Sequence, residues 1–168
     1  MAVSAKSKDK KRDIDLTGAD WITDCRDIAD IDNIDVVIEL VGGSEGVAKE
    51  LVEKAITNGK SVITANKALV ATHGNNIGEL VAKHDVMFGY EAAVAGGIPI
   101  IKTIREGLAS NRLGKVYGIL NGTCNYILSI MRETGQEFED ILADAQRLGY
   151  AEADPSFCLL YTSDAADE

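Results

Sequence analysis

The residues best suited to chemistry stand where apolar runs end. Gly42-Gly43, Ala65-Asn66-Lys67 and Glu91-Ala92-Ala93 each follow such a run directly. In an open parallel sheet, ligands bind outside the carboxyl ends of the strands, so these groups should line one sheet edge. Lys67 can donate there to a phosphate, a carboxylate or a reacting carbonyl oxygen. An exposed surface lysine accounts for that position equally well. Gly42-Gly43 taken alone is an ordinary turn before a helix. The stretch Gly89-Tyr-Glu-Ala-Ala-Val-Ala-Gly-Gly-Ile-Pro99 is more telling. Its glycines let other groups approach the backbone closely, and Pro99 suits the first turn of a helix. Core packing does not call for an acid, Glu91, in such a turn, whereas a binding site is one use for it.

Two further segments carry polar groups at turns. Asn121-Gly-Thr-Cys-Asn-Tyr126 follows a strand-like run and opens a helix, where free N–H groups favour an anion or a polar ligand. Cys124 at a helix start is a possible nucleophile. No histidine lies near it in sequence, and a small buried residue is the better reading. Gly149-Tyr-Ala-Glu152-Ala-Asp154-Pro155 places two carboxylates in a loop after a helix. A carboxylate there suits a substrate ammonium group, and a solvated acidic turn explains the pair as well.

The elements that must hold these groups follow from periodicity. Ala2-Val3-Ser4-Ala5 reads as a short strand or its end. Asp35–Val41 is an almost continuous apolar run, the pattern of a strand buried on both faces. Gly42-Gly43-Ser44 breaks it, with Ser44 as a helix cap. Val47, Ala48, Leu51, Val52, Ala55 and Ile56 then repeat at helical spacing, and Gly59 suits the position past that helix. Ser61–Thr64 is the next strand. Ile77, Leu80 and Val81 mark a helix, and Asp85–Glu91 a further strand. This alternation implies βαβ units and a parallel sheet.

The pattern changes after Glu91. Ile98, Ile101, Ile104 and Leu108 form one helical stripe. Lys115–Leu120 alternates like a half-buried strand. Ile127, Leu128 and Met131 mark a helix, and Phe138, Ile141, Leu142 and Ala145 another that ends near Gly149. The fold class expected is therefore α/β: a partial Rossmann-type parallel sheet over 1–91, then the start of an α+β region over 92–157. Residues 150–157 read as an ordered functional loop, and 158–168 as an atypical, poorly packed tail.

Composition narrows the function classes. In 168 residues the net charge is −10, which disfavours a general nucleic-acid binder. Lys6, Lys8, Lys10, Lys11 and Arg12 form a local exception that reads as a solvated loop. No apolar run reaches the roughly 18–20 residues of a membrane span, and the start lacks the apolar core of a secretory signal. The three cysteines, Cys25, Cys124 and Cys158, are far apart and form no C-x-x-C, which suggests neither zinc nor a disulfide framework and fits a reducing cytoplasm.

No G-x-G-x-x-G is present. In a dinucleotide-binding reading, the strand ending near Ala5 is then the second strand. An acid at that strand's end holds the ribose of NAD, and basic residues hold the phosphate of NADP. Ser4, Lys6 and Lys8 come first and no acid precedes Asp9. That order favours NADP.

Four blocks together resemble homoserine dehydrogenase: Ile63-Thr-Ala-Asn-Lys-Ala-Leu69, Tyr90–Ile100, Gly118–Ile127 and Leu148–Pro155. Their order and spacing match, and the resemblance covers nearly all of Ala2–Phe157. It implies NAD(P)-dependent interconversion of L-homoserine and L-aspartate 4-semialdehyde, on the way to threonine and methionine. It implies a homodimer, a small-molecule substrate, and neither nucleic acid nor membrane as partner. By resemblance, Lys67 reaches both cofactor and substrate. Gly42 and Gly43 form the turn beside the cofactor, and Gly149 is a cofactor contact. Glu152 binds the substrate's amino end, and Thr123 lines the substrate cleft. Glu91, Val94, Gly96 and Ile98 match a monovalent-cation site, usually sodium, with the carboxylate and backbone carbonyls as hard oxygen ligands.

The chain departs from the family pattern at two places. The amino-terminal glycine loop is absent, which weakens pyrophosphate binding. Past Phe157 the family's Asp-rich stretch and its downstream Asp and Lys have no counterpart. Loss of that proton donor implies a chain with little or no dehydrogenase activity by itself. Two other readings compete. Another Rossmann oxidoreductase, such as aspartate-semialdehyde dehydrogenase, would use Cys124 as nucleophile. A non-catalytic assembly fragment would use exposed apolar surface and strand edges.

Overall fold

The computed structural model describes residues 1–96, 98–119 and 121–151. These divide into two compact units, one over Met1–Asn111 and one from Arg112 onward. The short helices that follow Glu91 fall within the first of these units.

The first unit holds five short parallel strands: β1 (Ala2–Val3), β2 (Asp20–Trp21), β3 (Val36–Glu39), β4 (Ser61–Thr64) and β5 (Phe88–Gly89). β1 pairs with β2, and a three-stranded sheet runs β3-β4-β5. In the doubly wound order 3-2-1-4-5-6, strands 2-3 and 4-5-6 are the neighbours on either side of strand 1. The two sheets reproduce those two groups, with β1 in the place of the second strand, as the sequence suggests.

Helix α1 (Val47–Thr57) and helix α2 (Lys67–His84) link the central strands, and a 3-10 helix spans Cys25–Asp30. Val37 and Val62 from the sheet pack with Leu51, Val52, Ile56 and Leu69 into one core. That core covers one sheet face only. Val36, Ile38 and Ile63 point away from it, and Ile38 is 62 % exposed. The continuous apolar run at 35–41 thus does not mean burial on both faces here. The run is two-sided in composition, and among the described residues Val36 and Ile38 have no such core against them.

Several boundaries differ from the periodicity. Ser44 does not cap α1; Gly46, at φ 72°, does, without a side-chain bond. The strand expected over Asp85–Glu91 shortens to Phe88–Gly89, because Asp85 caps α2 in the left-handed region. The stripe from Ile98 to Leu108 is not one α-helix. Downstream of a short α3 (Glu91–Val94), it splits into a single turn α4 (Ile100–Lys102) and a π-helical turn over Thr103–Gly107, closed by Leu108 N–H donating to Thr103 O at 2.9 Å. Residues 115–119, expected as a strand, form none, and Tyr117 is 85 % exposed. Alternation makes a strand only where a neighbouring strand completes the ladder.

The second unit is a helical hairpin of α5 (Gly122–Thr134) and α6 (Phe138–Arg147). Gly135 ends α5 at φ 70°, as a left-handed cap needs. Ile127, Ile141 and Ala145 form its core.

Candidate functional site

The parallel register sets the site. Val36–Glu39 pairs residue by residue with Ser61–Thr64, and Ile63 pairs with Gly89. Consequently β3, β4 and β5 end side by side, and the residues just past them meet at one edge. Of the groups expected at that edge, Asn66 meets Gly43 directly, while the side-chain bonds of Glu91 run to Ile101 and Lys102.

A buried polar network fastens this edge. Glu39 is wholly buried at the end of β3. Its Oε1 accepts the N–H of Val41 at 2.6 Å and of Gly42 at 3.1 Å, and its Oε2 accepts the Thr64 hydroxyl at 2.6 Å. Thr64 Oγ1 in turn accepts the Asn66 N–H at 3.0 Å. Asn66 Oδ1 accepts the Leu69 N–H at 3.1 Å and so caps α2, while its Nδ2 donates to the Gly43 carbonyl at 2.7 Å. One asparagine therefore joins the glycine turn to the start of α2. Gly42 and Gly43 both lie at positive φ, 86° and 84°, which a side chain would strain. His73 Nε2 lies 2.6 Å from Glu45 Oε1, a second tie between α2 and the segment after that turn.

Lys67 is the first residue of α2, not a strand residue, and is exposed at the sheet edge. Its place is set by the Asn66 cap beneath it. The sequence places Asn66 at the strand end but does not single out Glu39 and Thr64 as site residues. A lone acid inside an apolar strand is the available signal, since burial of a carboxylate requires donors.

Glu91 opens α3, and its side chain reaches forward. Oε1 accepts the Ile101 N–H at 2.9 Å and Oε2 the Lys102 N–H at 3.0 Å. The loop over 91–102 is thereby closed on itself. Gly96 takes φ 61°, and the Ile98 carbonyl accepts the Ile100 N–H at 2.8 Å. Each carboxylate oxygen retains acceptor capacity beyond its one backbone bond. Glu91, Val94, Gly96 and Ile98 therefore sit in one short turn, with oxygen donors of the kind a hard monovalent cation takes.

Lys6 follows β1 and is exposed. Basic side chains at that strand end fit a phosphate, and Lys67 with the glycine turn fits the other end of a dinucleotide. In the second unit, Thr123 Oγ1 donates to the Tyr150 carbonyl at 2.5 Å, and the Tyr126 and Tyr150 rings lie 4.9 Å apart. Gly149, at φ 79°, makes the turn that allows this. Thr123 and Gly149 are thus brought together. Glu152, Asp154 and the 158–168 tail lie outside the described residues. Cys124 is half-buried in the first turn of α5, where the Asn121 side chain accepts its N–H at 3.0 Å.

Comparison with known proteins adds a different kind of support. Residues 1–91 match the family model "Homoserine dehydrogenase, NAD binding domain", and residues 99–165 match "Homoserine dehydrogenase". The second match runs past Phe157 into the tail. Homoserine dehydrogenase of Pseudomonas aeruginosa is 60 % identical over 84 % of this chain and 32 % of its own length. The Neisseria gonorrhoeae homoserine dehydrogenase is 54 % identical over 90 % of this chain and 34 % of its own. The chain thus spans about a third of the length of these relatives. Among solved structures, a homoserine dehydrogenase from Thiobacillus denitrificans superposes with TM-score 0.77 at 56 % identity, over 84 % of this chain and 33 % of that one. A hyperthermophilic archaeal homoserine dehydrogenase in complex with NADPH superposes with TM-score 0.67 at 26 % identity, over 79 % of this chain and 41 % of that one.

Proposed function

The chain belongs to the homoserine dehydrogenase family, and on that premise we propose that it serves the NAD(P)-dependent interconversion of L-homoserine and L-aspartate 4-semialdehyde, within threonine and methionine biosynthesis. The observation that carries this reading is the Glu39–Thr64–Asn66 network, which sets the Gly42-Gly43 turn against the start of α2 bearing Lys67. The nicotinamide, when bound, accepts or delivers the hydride. The chain's own residues do the positioning. Gly42 and Gly43 admit the cofactor close to the backbone, and Lys67 offers an ammonium group to the cofactor and to the substrate's reacting oxygen. Gly149 is a further cofactor contact, and Thr123 and Glu152 belong to the substrate side, Glu152 taking the amino group.

NADP is favoured over NAD because the end of β1 offers Lys6 and Lys8 before any acid. Sodium at Glu91, Val94, Gly96 and Ile98 would hold the turn by which the chain leaves β5. The alternative of a cysteine-dependent semialdehyde dehydrogenase loses its support, since both family models and the relatives agree on homoserine dehydrogenase. Homodimerisation fits the exposed Val116, Tyr117 and Ile119. The wide spacing of the cysteines fits a reducing cytoplasm, and no helix among the described residues is long and apolar enough to cross a membrane.

Titration of the chain with NADPH, read by nicotinamide fluorescence, tests the reading, together with aspartate-semialdehyde-dependent NADPH oxidation. Binding that weakens in Lys67→Ala is expected. No binding of NADPH at millimolar concentration would overturn the proposal.

A further inference from the structure

The basic run after β1 is not simply a solvated loop. Arg12 is the one half-buried cation in it, whereas Lys6, Lys8, Lys10 and Lys11 are exposed. The Arg12 guanidinium donates to three backbone carbonyls of the same loop: Ser7 O at 2.6 Å, Lys10 O at 2.9 Å and Lys8 O at 3.3 Å. It also lies 5.4 Å from the centre of the Trp21 ring. Trp21 is in β2, the strand paired with β1. The loop is therefore curled around one planar cation, and that cation is stacked on the sheet. Such a fork of donors matches several fixed acceptors at once, which an ammonium on a flexible stem does not.

None of the four lysines is in an ion pair among the described residues. Four lysines and one acid, Asp9, in six positions leave a net positive charge that repels itself, so an unanchored loop would spread and dilute it. Anchored, it stays concentrated where β1 ends, which is where a dinucleotide's ribose phosphate docks.

We propose that Arg12, held on Trp21, is the positioning residue for a 2′-phosphate: it folds the lysine loop into a phosphate cradle without touching the phosphate. This role rests on the NADP reading and deepens it. Recognition is of a phosphomonoester on an adenosine ribose, so 2′,5′-ADP carries the whole determinant and 5′-AMP lacks it.

The chain contains a single tryptophan, so excitation of Trp21 reports on this loop alone. The full 168-residue chain would be titrated with 2′,5′-ADP and with 5′-AMP, following Trp21 emission, at low and high salt. Wild type should bind 2′,5′-ADP on the order of tenfold more tightly than 5′-AMP, with the advantage shrinking in salt. Arg12→Lys keeps the charge but not the fork. It should shift Trp21 emission and erase most of that preference, with far-ultraviolet circular dichroism unchanged. The double variant Lys6→Ala, Lys8→Ala should lose the preference with Trp21 emission unchanged. Wild type without any preference for 2′,5′-ADP overturns the NADP reading and this inference together. A wild-type preference that survives in Arg12→Lys overturns the positioning role alone.

Discussion

The Glu39 carboxylate accepts the Thr64 hydroxyl at 2.6 Å, between two residues that are register partners at the carboxyl ends of β3 and β4. Both are fully buried. The pair ties the ends of two strands together, and Glu39 also accepts the Val41 and Gly42 N–H groups at the start of the glycine turn. Removing Glu39 strands three donors: two N–H groups and the hydroxyl. Glu39→Ala should cost about 3 kcal/mol, the range of a buried group left with unpaired donors. Thr64→Val should cost about 1–2 kcal/mol, since it removes one donor to the carboxylate and the acceptor for Asn66 N–H. Urea unfolding of both single variants and the double variant measures this. Strictly additive losses would show that the two residues do not act as a unit.

Asn66 does two separable jobs. Asn66→Asp keeps an oxygen for the Leu69 N–H, so the α2 cap survives, but it sets a carboxylate against the Gly43 carbonyl. Stability should hold to within about 1 kcal/mol while NADPH affinity falls roughly tenfold. Asn66→Ala should lose both. Thermal melts and NADPH titration separate the two effects. If Asn66→Asp binds NADPH like wild type, the strut to Gly43 is irrelevant to the cofactor.

Glu91 offers a test of the cation proposal. Glu91→Gln retains one acceptor oxygen but places an NH2 group against an N–H that now finds a carboxylate oxygen. The wild-type melting temperature should rise in sodium chloride relative to N-methylglucamine chloride at equal ionic strength. Glu91→Gln should abolish that difference. A sodium response that persists in the variant would place the ion elsewhere.

Acid stability should depend on Asp24. This residue caps the 3-10 helix and is hydrogen-bonded by the Arg26 side chain and backbone, which hold its carboxyl down at about 2. Arg26 also bridges to Glu50 on α1 at 2.7 Å. A folded-state value below the unfolded value of about 3.9 means that the contribution is complete above pH 4. It then disappears as pH falls through about 2. Asp24→Asn keeps a capping oxygen but not the charge. The variant should show a shallower loss of stability between pH 4 and pH 2, followed by urea midpoints. Equal slopes would remove Asp24 from the acid response.

Periodicity alone located α1, α2, α5 and α6 and the central strands, because helix and strand each leave a fixed apolar spacing along the chain. It also put Gly42-Gly43, Lys67 and Glu91 at strand ends, and the sequence blocks around them carried the family. All of that is local information. What pairs with what is not. Glu39 meets Thr64, 25 positions on, only because two strands lie in one register, and Glu91 meets Ile101 only because the chain turns back at Gly96. Arg12 and Lys11 are the same kind of residue in sequence, yet one is ringed by carbonyls and stacked on Trp21 while the other is exposed. The alternation at 115–119 produced no strand, since a ladder needs a neighbour that local pattern cannot supply. Sequence thus decided the elements and the residues at their ends. Tertiary structure decided which polar groups are satisfied, because a hydrogen bond depends on position in space and not on distance along the chain.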